Sequence, residues 1–350
     1  MIIAHLCHGF FPGNGFETCI TELCNHDINN KNIIILPKGK NAEIGLNPNI
    51  EIIEISSFSE LSKLFEKINP DIFLIHWTGA EGLIKDECKL VMQNTRCYYD
   101  LKPGVIRTLD NDPFGYLYTS RLIKNTPVYI IAHSEFKIPQ HVQRPEITGL
   151  IAVSDKALKT FENNNFDKHI IYNGVDTEKF KKREVNRISN AVVVSWSGRL
   201  SKYDFNIYQA IKNDKYLSDN CIFVYLGDGQ LEDDPPSNHL FLGKVDNVAR
   251  WLNTSDIFLY PTLIDSFGLA LVEAMACQLP VIGSQEVSEI IGNAGFVYPS
   301  PSVCVNILKD LVKSVYTREV FGKIARQRAI ENFSIDRMVE NYNKLYWSSK

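Results

Sequence analysis

The chain has 350 residues, 45% of them hydrophobic and 22% charged, with no low-complexity tract. That is the composition of a globular protein long enough for two domains with separate cores. A formal net charge of −4 excludes a bulk electrostatic pull toward nucleic acid or an anionic membrane. The eight cysteines, at positions 7, 19, 24, 88, 97, 221, 277 and 304, contain no Cys-x-x-Cys pair and several sit in apolar patterns, so they read as reduced core thiols rather than disulfides or zinc ligands. The opening Met1-Ile-Ile-Ala-His-Leu-Cys7 lacks a positive n-region and a small-residue cleavage site, and no apolar run approaches the roughly 18 to 20 residues of a membrane span. A cytoplasmic protein is expected, with peripheral contact at the membrane face left open.

Ile2 to Cys7 reads as a first strand, with a helix from about Thr18. Between them, Gly13-Asn14-Gly15-Phe16-Glu17-Thr18 nearly matches the dinucleotide fingerprint, but its third glycine is missing and no acidic residue closes a second strand. Asn32 to Pro37 is a second strand. Ser57-Phe-Ser-Glu60 is a capping box opening a helix with Leu61, Leu64, Phe65 and Ile68 on one face. The apolar run to His76-Trp77 and the run Val128 to Ala132, followed by His133, are buried strands ending where α/β folds carry ligand loops. Gly149 to Asp155 and Ile170 to Asp176 are the next strand regions, and Asn173-Gly-Val-Asp176 is turn chemistry read as a hinge. Lys181 to Asn190 is polar and aperiodic, a plausible linker.

The second half opens with a strand from Ala191 to Val194, then Ser197-Gly-Arg199-Leu-Ser-Lys202. Cys221 to Leu226 with Gly227-Asp-Gly229 is a strand and glycine turn, and Phe241-Leu-Gly243-Lys-Val245 a further loop. Ile257 to Pro261 is a short buried strand. It leads into Asp265-Ser266-Phe267-Gly268-Leu269-Ala-Leu-Val-Glu273, whose run from Leu269 to Met275 has helical content and spacing. The amides of Phe267, Gly268 and Leu269 at that helix start form an expected anion site, helped by the helix dipole. Glu273 lies eight residues after Asp265, roughly 12 Å if the helix ran throughout. Two carboxylates so spaced fit a sugar hydroxyl at one end of a bound diphosphate and a ribose diol at the other. Ser284 to Ile291 should be a helix, Ile307 to Asn332 largely helical, and Ser334 caps a last helix with Ile335, Met338, Tyr342 and Leu345 on one side.

The segment Asp265 to Gly283, with Phe-Gly, Glu-Ala-Met-Ala and Pro-Val-Ile-Gly in order, closely resembles the carboxylate–seven–carboxylate motif of GT-B retaining glycosyltransferases, in particular glycosyltransferase family 4 (glycosyl transferases group 1). The motif usually starts with Glu; here Asp265 stands there, one methylene shorter. The resemblance implies an α/β protein of two Rossmann-like domains facing each other across a cleft. Residues 1–178 would form the acceptor-side domain, 179–332 the nucleotide-sugar donor domain, and 333–350 a helix crossing back to the first domain. It implies that Asp265 and His133 orient the donor sugar and that Glu273 holds the ribose. Arg199 and Lys202 would neutralise the diphosphate. Ser266, Phe267, Gly268 and Leu269 would cradle it, Gly15 and Asn14 would face it in place of a Gly-Gly loop, and Gly227 and Val245 would lie near the base. The implied reaction moves a sugar from a nucleotide diphosphate sugar, UDP-linked or else GDP-linked, to a hydroxyl of a lipid-linked or soluble glycan, with no metal and no further cofactor. Two alternatives stay open: a nucleotide-sugar 2-epimerase of the same fold, and a non-catalytic sugar-nucleotide-binding partner of a glycan assembly complex. Asp110-Asn-Asp112 is formally the metal-holding Asp-x-Asp of the unrelated GT-A fold, and with Arg107 it could instead meet an acceptor. No hydrolase elbow, zinc motif, Walker loop or nucleic-acid module is present.

Overall fold

The computed structural model describes residues 1–7, 15–38, 45–55, 58–77, 126–133, 148–159, 167–186 and 188–349. These divide into two compact units, one of Met1–Ile171 with Val339–Lys350, the other of Tyr172–Met338. The expectations for Asn14, Arg107, Asp110 and Asp112 fall outside the described residues.

In the first unit seven strands form a parallel sheet: β1 (Ile2–Leu6), β2 (Lys31–Pro37), β3 (Glu51–Ile55), β4 (Ile72–Trp77), β5 (Val128–Ala132), β6 (Gly149–Ala152) and β7 (Asp167–Ile170). Their spatial order is β3-β2-β1-β4-β5-β6-β7. Parallel strands covered on both faces read as continuous apolar runs, which is why β1, β2 and β4 stand out in the sequence. Alternation sends Ala4, Ile33, Ile35 and Phe73 to one face, where Phe65 of the helix Phe58–Ile68 meets Phe73 edge-on at 4.5 Å between ring centroids. The opposite face gathers Cys7, Ile34 and Leu36 against Ile20 and Cys24 of the helix Gly15–His26. That helix begins three residues before the expected Thr18. Full burial of each large side chain contributes about 1.5–3 kcal/mol, and these contacts fix the sheet.

The second unit's sheet contains β8 (Val192–Ser197), β9 (Cys221–Leu226), β10 (His239–Phe241), β11 (Ile257–Tyr260), β12 (Val281–Gly283) and β13 (Phe296–Val297), all parallel, in the order β10-β9-β8-β11-β12-β13. The chain winds outward from β8 through β9 to β10, then returns to β8's other side at β11. The loops after β8 and β11 therefore diverge from a topological switch point, the crevice where open α/β sheets bind ligands. Side chains cap the helices around it: Asp204 accepts from the Asn206 amide, Asn247 from Arg250 and Ser314 from Thr317. The polar stretch 181–190, expected as a linker, belongs to this unit, where Asn253 accepts from the Arg183 amide at 2.6 Å and donates to the Lys181 carbonyl at 3.0 Å. The helix expected from Ser284 to Ile291 is a 3-10 turn, Gln285–Val287, followed by the short helix Ser288–Ile291. The long helical stretch is two helices, Pro301–Lys313 and Val315–Phe333, because Ser314 ends one and caps the next. Ser334 accepts from the Arg337 amide at the start of the last helix, whose Ile335, Met338, Tyr342 and Leu345 are buried.

Candidate functional site

The second unit's switch point is built on aromatic side chains. Trp196 in β8 stacks on Tyr260 in β11 at 4.7 Å and meets Tyr203 edge-on at 5.1 Å. Its indole nitrogen donates to the Gly198 carbonyl at 3.2 Å, which fixes the turn leaving β8. Gly198 then takes φ +141° and Gly227, leaving β9, takes φ +136°; the two backbones come so close that a Cβ on Gly227 would lie 2.1 Å from the Gly198 oxygen. The Gly227 amide in turn donates to the Gly243 carbonyl at 2.7 Å, so the three glycine turns after β8, β9 and β10 lock together. Val245 packs with Leu242 and Trp251 against Val193, Val224 and Leu226.

Two loops are laced across the switch point. The Asp204 amide donates to the Pro261 carbonyl at 2.8 Å and the Leu263 amide to the Lys202 carbonyl at 2.9 Å. This pairing brings Lys202 Nζ to 3.6 Å from Asp265 Oδ2. Tyr260, which nothing in the sequence marks, donates its hydroxyl to the same Asp265 oxygen at 2.8 Å. Burial pushes the Tyr260 phenol well up, and the neighbouring Asp265 adds to the shift, so the hydroxyl keeps the proton it donates. The other Asp265 oxygen accepts from the Phe267 amide at 3.3 Å. The expected anion site therefore changes membership. The Phe267 amide is held by Asp265, whereas those of Gly268, Leu269 and Ala270 donate to no acceptor among the described residues.

The helix starts at Leu269, not at Asp265, and runs to Ala276. Gly268 caps it in the left-handed region at φ +87° with no side-chain hydrogen bond, which leaves the amides bare at the positive end of the helix dipole. Phe267 is buried against Phe333 edge-on at 5.6 Å, with the Tyr172 ring 6.2 Å away, and this anchors the loop. Ser266 beside it is half-buried. Because the helix begins at Leu269, Glu273 lies only about 6 Å along its axis from that residue, half the separation a continuous helix from Asp265 would give. Glu273 is half-buried and its carboxylate makes no hydrogen bond or ion pair among the described residues. Burial raises its carboxyl to about 7, against the opposing pull of Lys179. Arg199 is exposed at the head of the 3-10 turn Leu200–Lys202, and its guanidinium forms no ion pair among the described residues.

Arg199, Lys202, Gly227, Val245, Asp265 to Leu269 and Glu273 thus all lie in the second unit. Gly15 and His133 belong to the first, where Gly15 opens the helix after β1 and His133 follows β5. A cationic pair, bare helix amides and two carboxylates around one switch point can hold a diphosphate between hydroxyl-bearing groups. Among the described residues no group of three or more His, Cys, Asp or Glu side chains could hold a metal ion, and no helix is long and apolar enough to cross a membrane. The six described cysteines are buried free thiols.

Residues 191–314, which carry this constellation, match the family described as glycosyl transferases group 1. The chain is 23% identical over 326 residues to the N-acetyl-alpha-D-glucosaminyl L-malate synthase of Bacillus anthracis, covering 84% of this chain and 79% of that protein. It is 25% identical over 395 aligned positions to an uncharacterized glycosyltransferase of Methanocaldococcus jannaschii, covering 96% and 97%. Among solved structures, Anabaena HepE in complex with UDP-glucose superposes with a TM-score of 0.70 at 15% identity, covering 99% of this chain and 100% of that one. The matched segment, residues 191–314, is that of the glycosyl transferases group 1 family, and the chain is a glycosyltransferase of the GT-B fold.

Proposed function

We propose that the protein transfers a sugar from a UDP-sugar to a hydroxyl of a lipid-linked or soluble glycan, with retention at the anomeric carbon. The observation that carries this reading is Lys202 Nζ at 3.6 Å from Asp265 beside the bare amides of Gly268, Leu269 and Ala270, with Arg199 on the same loop after β8. The barrier lies in breaking the anomeric C–O bond while negative charge builds on the departing diphosphate. Donors fixed in advance toward that charge each contribute about 3 kcal/mol in a water-poor site. Arg199 serves as a bidentate fork and Lys202 as a point charge, with Ser266 and Phe267 shaping the loop beneath them.

Asp265 takes donor-sugar hydroxyls. Its two oxygens are already oriented by Tyr260 and the Phe267 amide, so little ordering is left to substrate binding. His133 and Gly15, in the first unit, carry over from the family resemblance as sugar- and diphosphate-binding residues. Glu273, desolvated and without a partner of its own, takes the ribose diol, and the turns at Gly227 and Val245 flank the base. No side chain of this set is placed as a covalent nucleophile, so the reading is a front-face substitution. The acceptor oxygen bonds to the anomeric carbon on the side from which the phosphate oxygen leaves, and the acceptor proton passes to that phosphate. The choice of UDP is supported by UDP-glucose in the Anabaena neighbour. Glycan biosynthesis as the setting is supported by relatives such as the O-antigen chain mannosyltransferase of Salmonella typhimurium.

A thermal-shift panel of UDP-, GDP- and dTDP-sugars, followed by proton NMR of the transfer product, tests the reading. The expected result is stabilisation by UDP-sugars and a product with the donor's anomeric configuration. Release of UDP with a free 2-epimeric sugar and no acceptor dependence would instead identify an epimerase, and an inverted product would remove the front-face mechanism.

A further inference from the structure

Lys202 and Asp265 are fixed to each other through the backbone before their side chains meet. Tyr203 and Thr262 form an antiparallel bridge. Beside it the Leu263 amide donates to the Lys202 carbonyl at 2.9 Å and the Asp204 amide to the Pro261 carbonyl at 2.8 Å. The turn Leu200–Lys202 is closed in the same way, by the Lys202 amide donating to the Arg199 carbonyl at 3.0 Å. Only the side chains keep any freedom, and they keep it unequally. The Asp265 carboxylate is anchored at both oxygens, by the Tyr260 hydroxyl at 2.8 Å and the Phe267 amide at 3.3 Å, and its side chain is 17% exposed. Tyr260 is itself buried and stacked on Trp196, so the anchor does not yield. The Lys202 side chain is 33% exposed, ends a flexible four-carbon stem, and has Asp265 as its one ion partner among the described residues.

At 3.6 Å the ammonium is attracted to Asp265 but lies beyond hydrogen-bond distance, so it can leave without breaking a hydrogen bond. In any exchange of partners the lysine moves and the acid stays. The acid also borders the place a diphosphate takes in the proposed site. The Phe267 amide that it holds is followed directly by the bare amides of Gly268, Leu269 and Ala270. A diphosphate on those amides and the Asp265 carboxylate are two anions competing for one ammonium.

We propose that Asp265 is a tether for Lys202 that loosens the hold on UDP. With no sugar bound, the carboxylate draws the ammonium away from the diphosphate. A donor sugar's hydroxyls, by donating to Asp265, release the lysine to the diphosphate. The proposal rests on the reading of Lys202 as a diphosphate cation and of Asp265 as the sugar-holding acid. Sugar and diphosphate are then coupled through one side chain, and the coupling runs both ways. It serves turnover, because Lys202 grips the intact donor and partly lets go of the UDP left after transfer. Water reaches the pair and screens it, which sets the effect at about three- to tenfold in UDP affinity.

Calorimetric titration of UDP into the parent protein, Asp265→Asn, Lys202→Ala and the double variant tests the tether as a closed cycle. Asparagine keeps the shape of the side chain and removes its charge. The expected result is UDP bound about three- to tenfold more tightly by Asp265→Asn than by the parent, and a gain of less than about twofold where Lys202 is already alanine. Equal or weaker binding by Asp265→Asn overturns the proposal. So does a gain of the same size without Lys202, which would mean plain repulsion between acid and diphosphate. If Asp265→Asn does not fold, Asp265→Ser is read by the same criteria. The proposal and the reading beneath it fail separately. Lys202→Ala binding UDP as well as the parent would remove Lys202 from the diphosphate site, whereas weaker binding by Lys202→Ala with no gain in Asp265→Asn would remove the tether alone.

Discussion

The Glu273 carboxyl is held near 7 in the fold by burial, whereas a free glutamate titrates at 4.5. Because the folded value is raised, the folded state binds more protons than the unfolded chain between those two values, and stability falls as pH rises through that window. The penalty is absent well below 4.5, stays under about 1 kcal/mol near pH 5, and levels off at about 3 kcal/mol above 7. Glu273→Gln keeps the shape and removes the charge. The ligand-free variant should therefore be more stable than the parent by up to about 3 kcal/mol near pH 8, with the gain shrinking to less than about 1 kcal/mol near pH 5. Urea unfolding at the two pH values, in the absence of nucleotide, measures this. UDP should bind the variant more weakly, and the parent's UDP affinity should rise as pH passes through about 7 and the carboxylate forms. An equal or smaller stability near pH 8 than near pH 5, relative to the parent, would refute the argument that Glu273 is a strained, solvent-deprived acid kept for a ligand.

Gly268→Ala places a side chain at φ +87° with its Cβ 3.2 Å from the Tyr260 ring, so a loss of about 1–2 kcal/mol in thermal or urea unfolding is expected, together with weaker UDP binding. Gly227→Ala should cost more, about 3 kcal/mol or above, because its Cβ would meet the Gly198 carbonyl oxygen at 2.1 Å and backbone must move; the same unfolding assay reads it. Chelation should leave transfer unchanged, since Arg199, Lys202 and helix amides fill the place of a divalent ion; a rate lost on adding EDTA and restored by Mg²⁺ or Mn²⁺ would contradict this.

The parts of the fold legible in the sequence are those written in local chemistry. Unbroken apolar runs mark β1, β2, β4, β5, β9 and β11, because parallel strands hide both faces. The segment from Asp265 to Glu273 is legible because a strand end, a glycine and a helix start follow one another without interruption. Edge elements are not. β3, Glu51–Ile55, is interrupted by acidic residues at the sheet margin, and β10 is three residues long, so neither carries a run to detect. The stop at Ser314 is hidden because serine breaks a helix only when its side chain caps the next. The helix length between Asp265 and Glu273, and the capture of the Phe267 amide, depend on where φ turns positive at Gly268 and on the Asp265 rotamer, which residue spacing does not contain. A row of three histidines in the first unit needed the strand order. His5 and His76 are each a lone histidine in an apolar strand and His133 follows one, and only the pairing of β1, β4 and β5 sets them side by side.

UDP is the leaving group with its charge fully developed, so its affinity reads the diphosphate pocket directly. Calorimetric titration of UDP into the parent protein and into an Arg199→Ala, Lys202→Ala double variant is the most direct test of the account. The account predicts measurable binding by the parent and a loss of about a hundredfold or more in the variant, the sum expected for two charge-assisted contacts. Equal UDP affinity in the two proteins would contradict it.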